Sequence, residues 1–242
     1  MASNHNILCT ICARGGSKGI KNKNIRKLLG KPVIAYTVLQ ALKWTKASHI
    51  VVSTDSEKIA KVAKRFGAEV FFIRPKELAR DNSPKLLSIK HALKKSERFY
   101  SQRFDIIVDL DVTSPLRKIK DLDNCLKIFL KRKPQTLFSV VKAQRNPYFN
   151  MVEIKKDGFA RLSKNLATGV TCRQDAPSVY DMNASIYFYS RDFLLKGRCL
   201  TPVSRRTAIY LMDEISKYDI DSKNDFRFIE FLMKKGMWKN EI

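Results

Sequence analysis

Short apolar runs alternate with amphipathic stretches of helical period over residues 7–141, and no other feature restricts the fold as much. Residues 7–13 are an apolar run that ends in Arg14-Gly15-Gly16-Ser17-Lys18-Gly19, which reads as a strand entering a glycine-rich loop. Pro32 opens a helix whose apolar positions Val33, Ile34, Tyr36, Thr37, Leu39 and Leu42 suit a buried face. Residues 49–53 are the next strand, with Asp55 just past its end. Residues 56–66 then form a helix with Ile59, Val62, Ala63 and Phe66 on one stripe, stopped by Gly67. Further strands are predicted at 70–73, 104–110 and 137–141, separated by helices over 84–99 and about 120–130. This rhythm predicts βαβ units and an α/β fold with a mainly parallel sheet covered on both faces. Ligands of such sheets bind at the carboxyl ends of the strands, where residues 14–19, Asp55 and residues 111–114 all fall.

From about residue 142 to 190 the rhythm changes. Strand-like pieces at 151–154, 159–162 and 185–189 alternate with loops rich in Asn, Asp, Pro and Gly. The expectation is one domain over residues 1–242 with a small antiparallel insertion at 142–190. Its apolar residues Tyr148, Phe149, Met151, Tyr180 and Met182 suit contacts between two copies of the chain, so a homodimer is expected. A strand at 208–212 and a helix over 223–233 close the chain.

Composition narrows the function classes. The 47 Lys and Arg against 23 Asp and Glu give a net charge of +24, which points to polyanionic partners. The basic residues are spread over predicted helix faces, with no basic arm, no groove-entering basic helix and no aromatic stacking platform. Small anionic substrates therefore fit better than nucleic acid. The five cysteines are scattered, and the Cys9/Cys12 pair lies in a strand, where residues three apart face opposite ways. Neither a disulfide framework nor a zinc site is expected. No apolar stretch reaches membrane-spanning length, and Met1 to His5 lack the start of a secretory signal, so the expected compartment is the cytoplasm.

Three clusters carry candidate chemistry. The Arg14 to Gly19 loop offers converging backbone N–H groups and cations to an anion, although its spacing fits neither the P-loop nor the dinucleotide fingerprint. Lys21, Lys23 and Arg26 follow closely. In Tyr218-Asp219-Ile220-Asp221, an inward Ile220 puts both carboxylates on one side of an extended segment, which suits Mg²⁺. The alternative is that Asp221 or Ser222 caps the final helix. The third cluster, Asp109-Leu110-Asp111-Val112-Thr113-Ser114-Pro115-Leu116-Arg117, is a strand end and turn that suits a base or ribose, or is a plain turn.

Together these motifs resemble the CMP-acylneuraminate synthetase family. Ala13-Arg14 through Ser17-Lys18-Gly19, Lys23-Asn24, Ser53-Thr54-Asp55, Arg74-Pro75, Thr113-Ser114-Pro115-Leu116-Arg117, Arg173-Gln174, Asn183 and Asp219-Ile220-Asp221 occur in the family's order across residues 7–231. The resemblance implies a Rossmann-like nucleotidyltransferase fold, Mg²⁺ dependence, and a homodimer whose insertion reaches the neighbour's site. It implies that CTP is held by Arg14, Gly15, Ser17, Lys18, Asn24, Asp55, Arg74, Ser83, Asp111 and Ser114. Lys23, Asp219 and Asp221 are then catalytic, with the two aspartates on the metal. Arg173, Gln174, Asn183, Tyr148 and Phe149 are placed on a nine-carbon acidic sugar.

The chain departs from the family in three places. Asp111-Val112 stands where many members carry Gln-Pro, Cys172 precedes Arg173-Gln174 in place of a second arginine, and Asn146-Pro147-Tyr148-Phe149-Asn150 lacks a lysine that some members place there. The departures resemble the branch that activates legionaminic acid. The expected reaction is transfer of CMP from CTP to the sugar's anomeric hydroxyl, with pyrophosphate released. The rivals are N-acetylneuraminic acid or an octulosonate as the sugar and, from another class, a basic nucleic-acid-binding protein.

Overall fold

The computed structural model describes residues 5–17, 19–167, 169–196, 200–239 and 242. In chain order the elements are β1 (Ile7–Cys12), β2 (Lys27–Leu28), β3 (Lys31–Pro32), α1 (Val33–Lys43), β4 (His49–Ser53), α2 (Glu57–Arg65), α3 (Lys85–Tyr100), β5 (Ile106–Leu110), α4 (Ile119–Arg132) and β6 (Thr136–Lys142). They continue with β7 (Val152–Ile154), β8 (Ala160–Leu162), β9 (Tyr180–Ser190), α5 (Arg191–Lys196), β10 (Thr207–Leu211) and α6 (Lys223–Lys234).

The central sheet has six strands in the order β10-β6-β9-β5-β1-β4. β1 runs parallel to both β4 and β5, and β10 parallel to β6, whereas β9 is antiparallel to its two neighbours. The sheet separates two apolar layers. On one side Cys9 and Ile11 pack with Val33, Val38, Ile59, Leu122, Phe129 and Ile229 from α1, α2, α4 and α6. On the other, Leu8, Val51 and Ile107 meet Leu86, Ile89 and Leu93 of α3 and Phe193 of α5. This alternation puts Cys9 in the first layer and Cys12 against the second. Burial pushes both thiols above their usual range.

Local chemistry explains the helix boundaries. Ser56 caps α2, its hydroxyl accepting from the Ile59 N–H, and Gly67 ends the segment at φ +97°. A Cβ on Gly67 would stand 3.0 Å from Leu42 Cδ1, so Leu42 lies over this turn. Leu42 is 41% exposed, while Ala35, Val38 and Ala41 complete the buried face of α1 instead.

Two sequence expectations change. Residues 70–73 form no strand, and the sheet edge gains only a parallel bridge between Val51 and Glu69. Phe71 there turns off the edge and stacks on Phe99 of α3 at 4.1 Å between ring centroids, which removes the segment from the ladder. Residues 185–189, read as part of the insertion, belong to β9 inside the central sheet. Ile186 and Phe188 pack into one layer and Tyr189 into the other, so the strand is buried on both faces and shows no clean apolar–polar alternation. What projects from the sheet is the β7–β8 hairpin, paired Val152 to Leu162, with Ile154 and Phe159 exposed at 79% and 70%.

Candidate active site

The carboxyl ends of β1 and β5 open into a cleft of about 460 Å³. Its first wall is the loop after β1. The loop is fixed by the Gly15 N–H donating to Asp55 Oδ1 at 2.8 Å and by the Asn24 amide donating to the Arg14 carbonyl at 2.9 Å. Arg14 pairs with Asp81 across the mouth. Asn22, in the left-handed region at φ +57°, turns the chain into the short 3-10 helix Lys23–Ile25, from which Lys23 reaches the cleft. Gly19 lies flat on the opposite side of the site: a Cβ there would stand 2.0 Å from the Asp221 carbonyl oxygen. No other residue fits without moving that backbone.

The second wall is Arg74, 5% exposed, whose Nη1 donates to the Ser88 hydroxyl at 3.0 Å. Its Nη2 stands 3.8 Å from Asp55 Oδ1, and neither Nη2 nor Nε has a hydrogen-bond acceptor among the described residues. A buried guanidinium with unmet donors at a cleft is suited to an anion. Arg80 and Ser83 line the same side.

The third wall is residues 219–221. Ile220 is fully buried, and its N–H donates to the Thr113 carbonyl at 2.8 Å, which ties this segment to the turn after β5. Lys23 Nζ donates to the Ile220 carbonyl at 2.7 Å and stands 3.0 Å from Asp221 Oδ1. The cap of α6 is Ser222, whose hydroxyl accepts from the Asp225 N–H at 3.2 Å while Asp225 accepts from the Ser222 N–H at 2.6 Å. The cap is therefore Ser222, one of the two candidates for it, and the Asp221 side chain is left to pair with Lys23. Burial, with the nearby Asp221 and Asp111 carboxylates, pushes Asp219 up to about 6. A carboxylate pair strained in this way suits a divalent cation, although the described residues hold no cluster of three or more metal-ligating side chains. Substrate phosphates would have to complete such a site.

The floor was not foreseen. Lys85, the first residue of α3, stands 2.7 Å from both Asp109 Oδ2 and Asp111 Oδ2. Burial alone would raise the Asp111 carboxyl; the Lys85 ammonium and the Thr113 N–H and hydroxyl overcome this and hold it at about 2. The sequence did carry a signal: Asp109 and Asp111, two apart at a strand end, share a face and demand a cation.

Arg14, Ser17, Lys23, Asn24, Arg74, Ser83, Asp111 and Asp221 thus line one cleft. Gly15 and Asp55 brace its loop, Asp219 stands beside Asp221, and Lys18 lies outside the described residues. Ser114 is buried behind the cleft, its hydroxyl donating to the Asn183 carbonyl at 3.3 Å. Asn183 is buried as well. Its Oδ1 accepts from Ser139 at 2.6 Å and its amide donates towards Ser216 at 3.1 Å, so its role is to join β9, β6 and the segment before residue 219. Arg173 and Gln174 line a separate cavity of about 410 Å³ with Lys142, Asn146 and Glu214, where Arg173 donates to the Gln144 carbonyl. Tyr148 lies near the hairpin, with the Lys164 ammonium 5.6 Å from its ring centroid. Phe149 closes the turn at Asn146, its N–H donating to the Asn146 carbonyl at 3.0 Å. Arg80, Asp81, Lys85 and Ser88 are cleft residues absent from the sequence reading, and Thr113 of the third cluster lines the cleft as well.

Comparison with known proteins gives the family and the fold. The chain is 46% identical over 227 residues to CMP-N,N'-diacetyllegionaminic acid synthase of Campylobacter jejuni, covering 94% of each chain. It is 45% identical over 229 residues to Post-translational flagellin modification protein B of Campylobacter coli, covering 95% of each. The solved structure of CMP:2-keto-3-deoxy-manno-octonic acid synthetase complexed with CTP superposes with a TM-score of 0.69 over 96% of this chain and 99% of that one, at 16% identity, a likeness of fold. The profile of the family described as Cytidylyltransferase matches residues 8–241, nearly the whole chain, and the protein belongs to that family.

Proposed function

We propose that this cytidylyltransferase transfers CMP from CTP to the anomeric hydroxyl of a nonulosonic acid of the legionaminic type, releases pyrophosphate, and works with Mg²⁺ as a homodimer in the cytoplasm. The observation that carries the reading is the meeting of three features in one cleft: the unmet donors of Arg74, the Lys23 ammonium, and the Asp221 carboxylate with Asp219 beside it. Relatives support the sugar class. Besides the Campylobacter jejuni enzyme, the CMP-N,N'-diacetyllegionaminic acid synthase of Legionella pneumophila is 31% identical over 229 residues.

In the reaction the sugar hydroxyl oxygen bonds to the α-phosphorus as the bond to the β-phosphate oxygen breaks, and the hydroxyl proton passes to a base. Mg²⁺ on Asp219 and Asp221 would supply charge compensation to the triphosphate and acidify the attacking hydroxyl. Arg14, Ser17, Asn24 and the loop N–H groups hold the nucleotide, and Lys18 belongs to the same proposed set. Arg74 supplies the buried charge against the phosphates, and Lys23, fixed by Ile220 and Asp221, neutralises charge that grows in the transition state. Such a site accelerates by positioning and preset electrostatics.

Arg173 and Gln174 line a different cavity from the nucleotide residues, which supports an arrangement in which the insertion completes the neighbouring subunit's cleft. The exposed Ile154 and Phe159 of the hairpin provide an apolar contact for that pairing. Tyr148, Phe149 and Met151 give the sugar's far end an apolar wall. A buried hydroxyl left there without a partner costs ~1–3 kcal/mol, enough for a preference between sugars.

Pyrophosphate release with CTP, Mg²⁺ and a panel of nonulosonic acids tests the reading. The expected result is a kcat/KM for N,N'-diacetyllegionaminic acid about tenfold above that for N-acetylneuraminic acid. Equal values, or the reverse order, would remove the legionaminic assignment, and no release with any sugar would remove the reaction.

A further inference from the structure

Lys85 has no part in the mechanism above, yet it is an ammonium set at an unfavourable end of a helix. It opens α3, where the positive end of the helix dipole disfavours an ammonium. Its partners explain why it is there. The Asp109 side chain is fully buried and Asp111 is 21% exposed at the cleft, and Lys85 Nζ stands 2.7 Å from one oxygen of each. Both remaining oxygens are also engaged. Asp109 Oδ1 accepts from the Thr10 hydroxyl at 2.8 Å, and Asp111 Oδ1 accepts from the Thr113 N–H at 3.1 Å and its hydroxyl at 3.0 Å. The Asp111 carboxylate is thereby fixed in orientation.

Two carboxylates around one ammonium would leave one negative charge, which the buried Arg117 guanidinium, donating to the Asp111 carbonyl, offsets. Arg14, Lys23, Arg74 and Arg80 line the rest of the same cleft. The cleft is polarised, and both substrates are anions. Phosphates and a sugar carboxylate are drawn to the cationic walls, where two nitrogens of Arg74 lack a hydrogen-bond acceptor among the described residues, and not to the charge-balanced floor. A carboxylate only accepts hydrogen bonds, whereas an amide in its place would offer a donor as well. What the floor can receive from a sugar is an O–H or an amide N–H.

We propose that Lys85 is a positioning residue that clamps Asp111 as a fixed, acceptor-only reader of the sugar's hydroxyl or amide N–H groups, and so sets the orientation in which the sugar enters the cleft. This rests on the CMP-sugar reading, moves Asp111 from the CTP set implied by the resemblance to the sugar, and adds the residue that governs sugar selection.

The test is steady-state kinetics with CTP and the preferred sugar of the panel, on the wild type and on Lys85→Met, Lys85→Arg and Asp111→Asn, each checked by thermal unfolding. Lys85→Met leaves a buried carboxylate unpaired and can fail to fold. Asp111→Asn keeps the Lys85–Asp109 pair, and Lys85→Arg keeps the charge, so these two carry the test in that event. The sugar KM of Asp111→Asn should rise about tenfold, with the CTP KM within about twofold of wild type. Lys85→Met, where folded, should match or exceed that rise, and Lys85→Arg should recover part of it. Equal rises in both KM values would mean general loosening of the cleft and would overturn the proposal. So would folded Asp111→Asn and Lys85→Arg with a wild-type sugar KM. If the wild type turns over no sugar, the CMP-sugar reading itself fails, a result distinct from an active wild type with insensitive variants.

Discussion

The cleft at the strand ends and the β7–β8 hairpin are opposites in how they hold their side chains. In the cleft, several candidate residues lean on rigid structure: Gly15 on Asp55, Arg74 on Ser88, Lys23 on the Ile220 carbonyl, Asp111 on Lys85 and Thr113. On the hairpin, Val152, Ile154 and Phe159 stand in solvent, and the ion pairs Lys155–Glu153 and Arg161–Asp157 are surface pairs worth little. A preset electrostatic site needs its charges fixed before the substrate arrives. An apolar face without a partner needs another surface. The charges of the first region are set by contacts within one chain, whereas the second keeps its apolar side chains exposed.

The strongest way to break this contrast is at the two carboxylates. Asp221→Asn and Asp219→Asn should each lower kcat at least about a hundredfold, read by pyrophosphate release at saturating Mg²⁺. Near-normal rates would mean the pair has no metal to hold. Asp219 also predicts a pH effect in the metal-free protein. Its folded pKa of about 6 lies above the ordinary 3.8, so its contribution favours folding fully below 3.8 and is lost as pH rises through 6. In EDTA, Asp219→Asn should therefore melt above the wild type at pH 7.5, with the gap shrinking as pH falls towards 4.

Lys23→Ala should come next, with kcat down about a hundredfold or less and a smaller change in the CTP KM. A change confined to KM would make Lys23 a binding residue only. At the hairpin, Ile154→Glu should convert a dimer to monomer in sedimentation and lower activity through the sugar KM. A monomeric wild type with full activity would dissolve the distinction between the two regions. The smallest effect belongs to Ser222→Ala, which should cost about 1 kcal/mol in thermal unfolding because the cap is lost, while kcat stays near wild type. A large kcat loss there would show that cap and carboxylates are not separable.

Much of the fold was legible because the relevant rules are local. The strand–helix rhythm of residues 7–141 follows from apolar period, Ser56 from cap chemistry, and the strand-end position of the glycine loop from the run before it. Asp219-Ile220-Asp221 could be found as a pair because alternation along an extended segment is local too. The order of the chain could not say whether Asp221 serves the helix or the site. The contact between Asp225 and Ser222 gives the cap to Ser222, and the pairing of Asp221 with Lys23 depends on how the segment before α6 docks.

What the sequence determined alone is therefore the fold class, the nucleotide-binding end of the sheet and the candidate carboxylate pair, since periodicity and short motifs depend on near neighbours. Tertiary structure alone decided the rest. It put β9 in the middle of the sheet, spent Asn183 on internal hydrogen bonds, and brought Lys85 within reach of Asp109 and Asp111 across more than twenty positions of chain. Those outcomes depend on which surfaces meet, and burial, not sequence proximity, selects the partners.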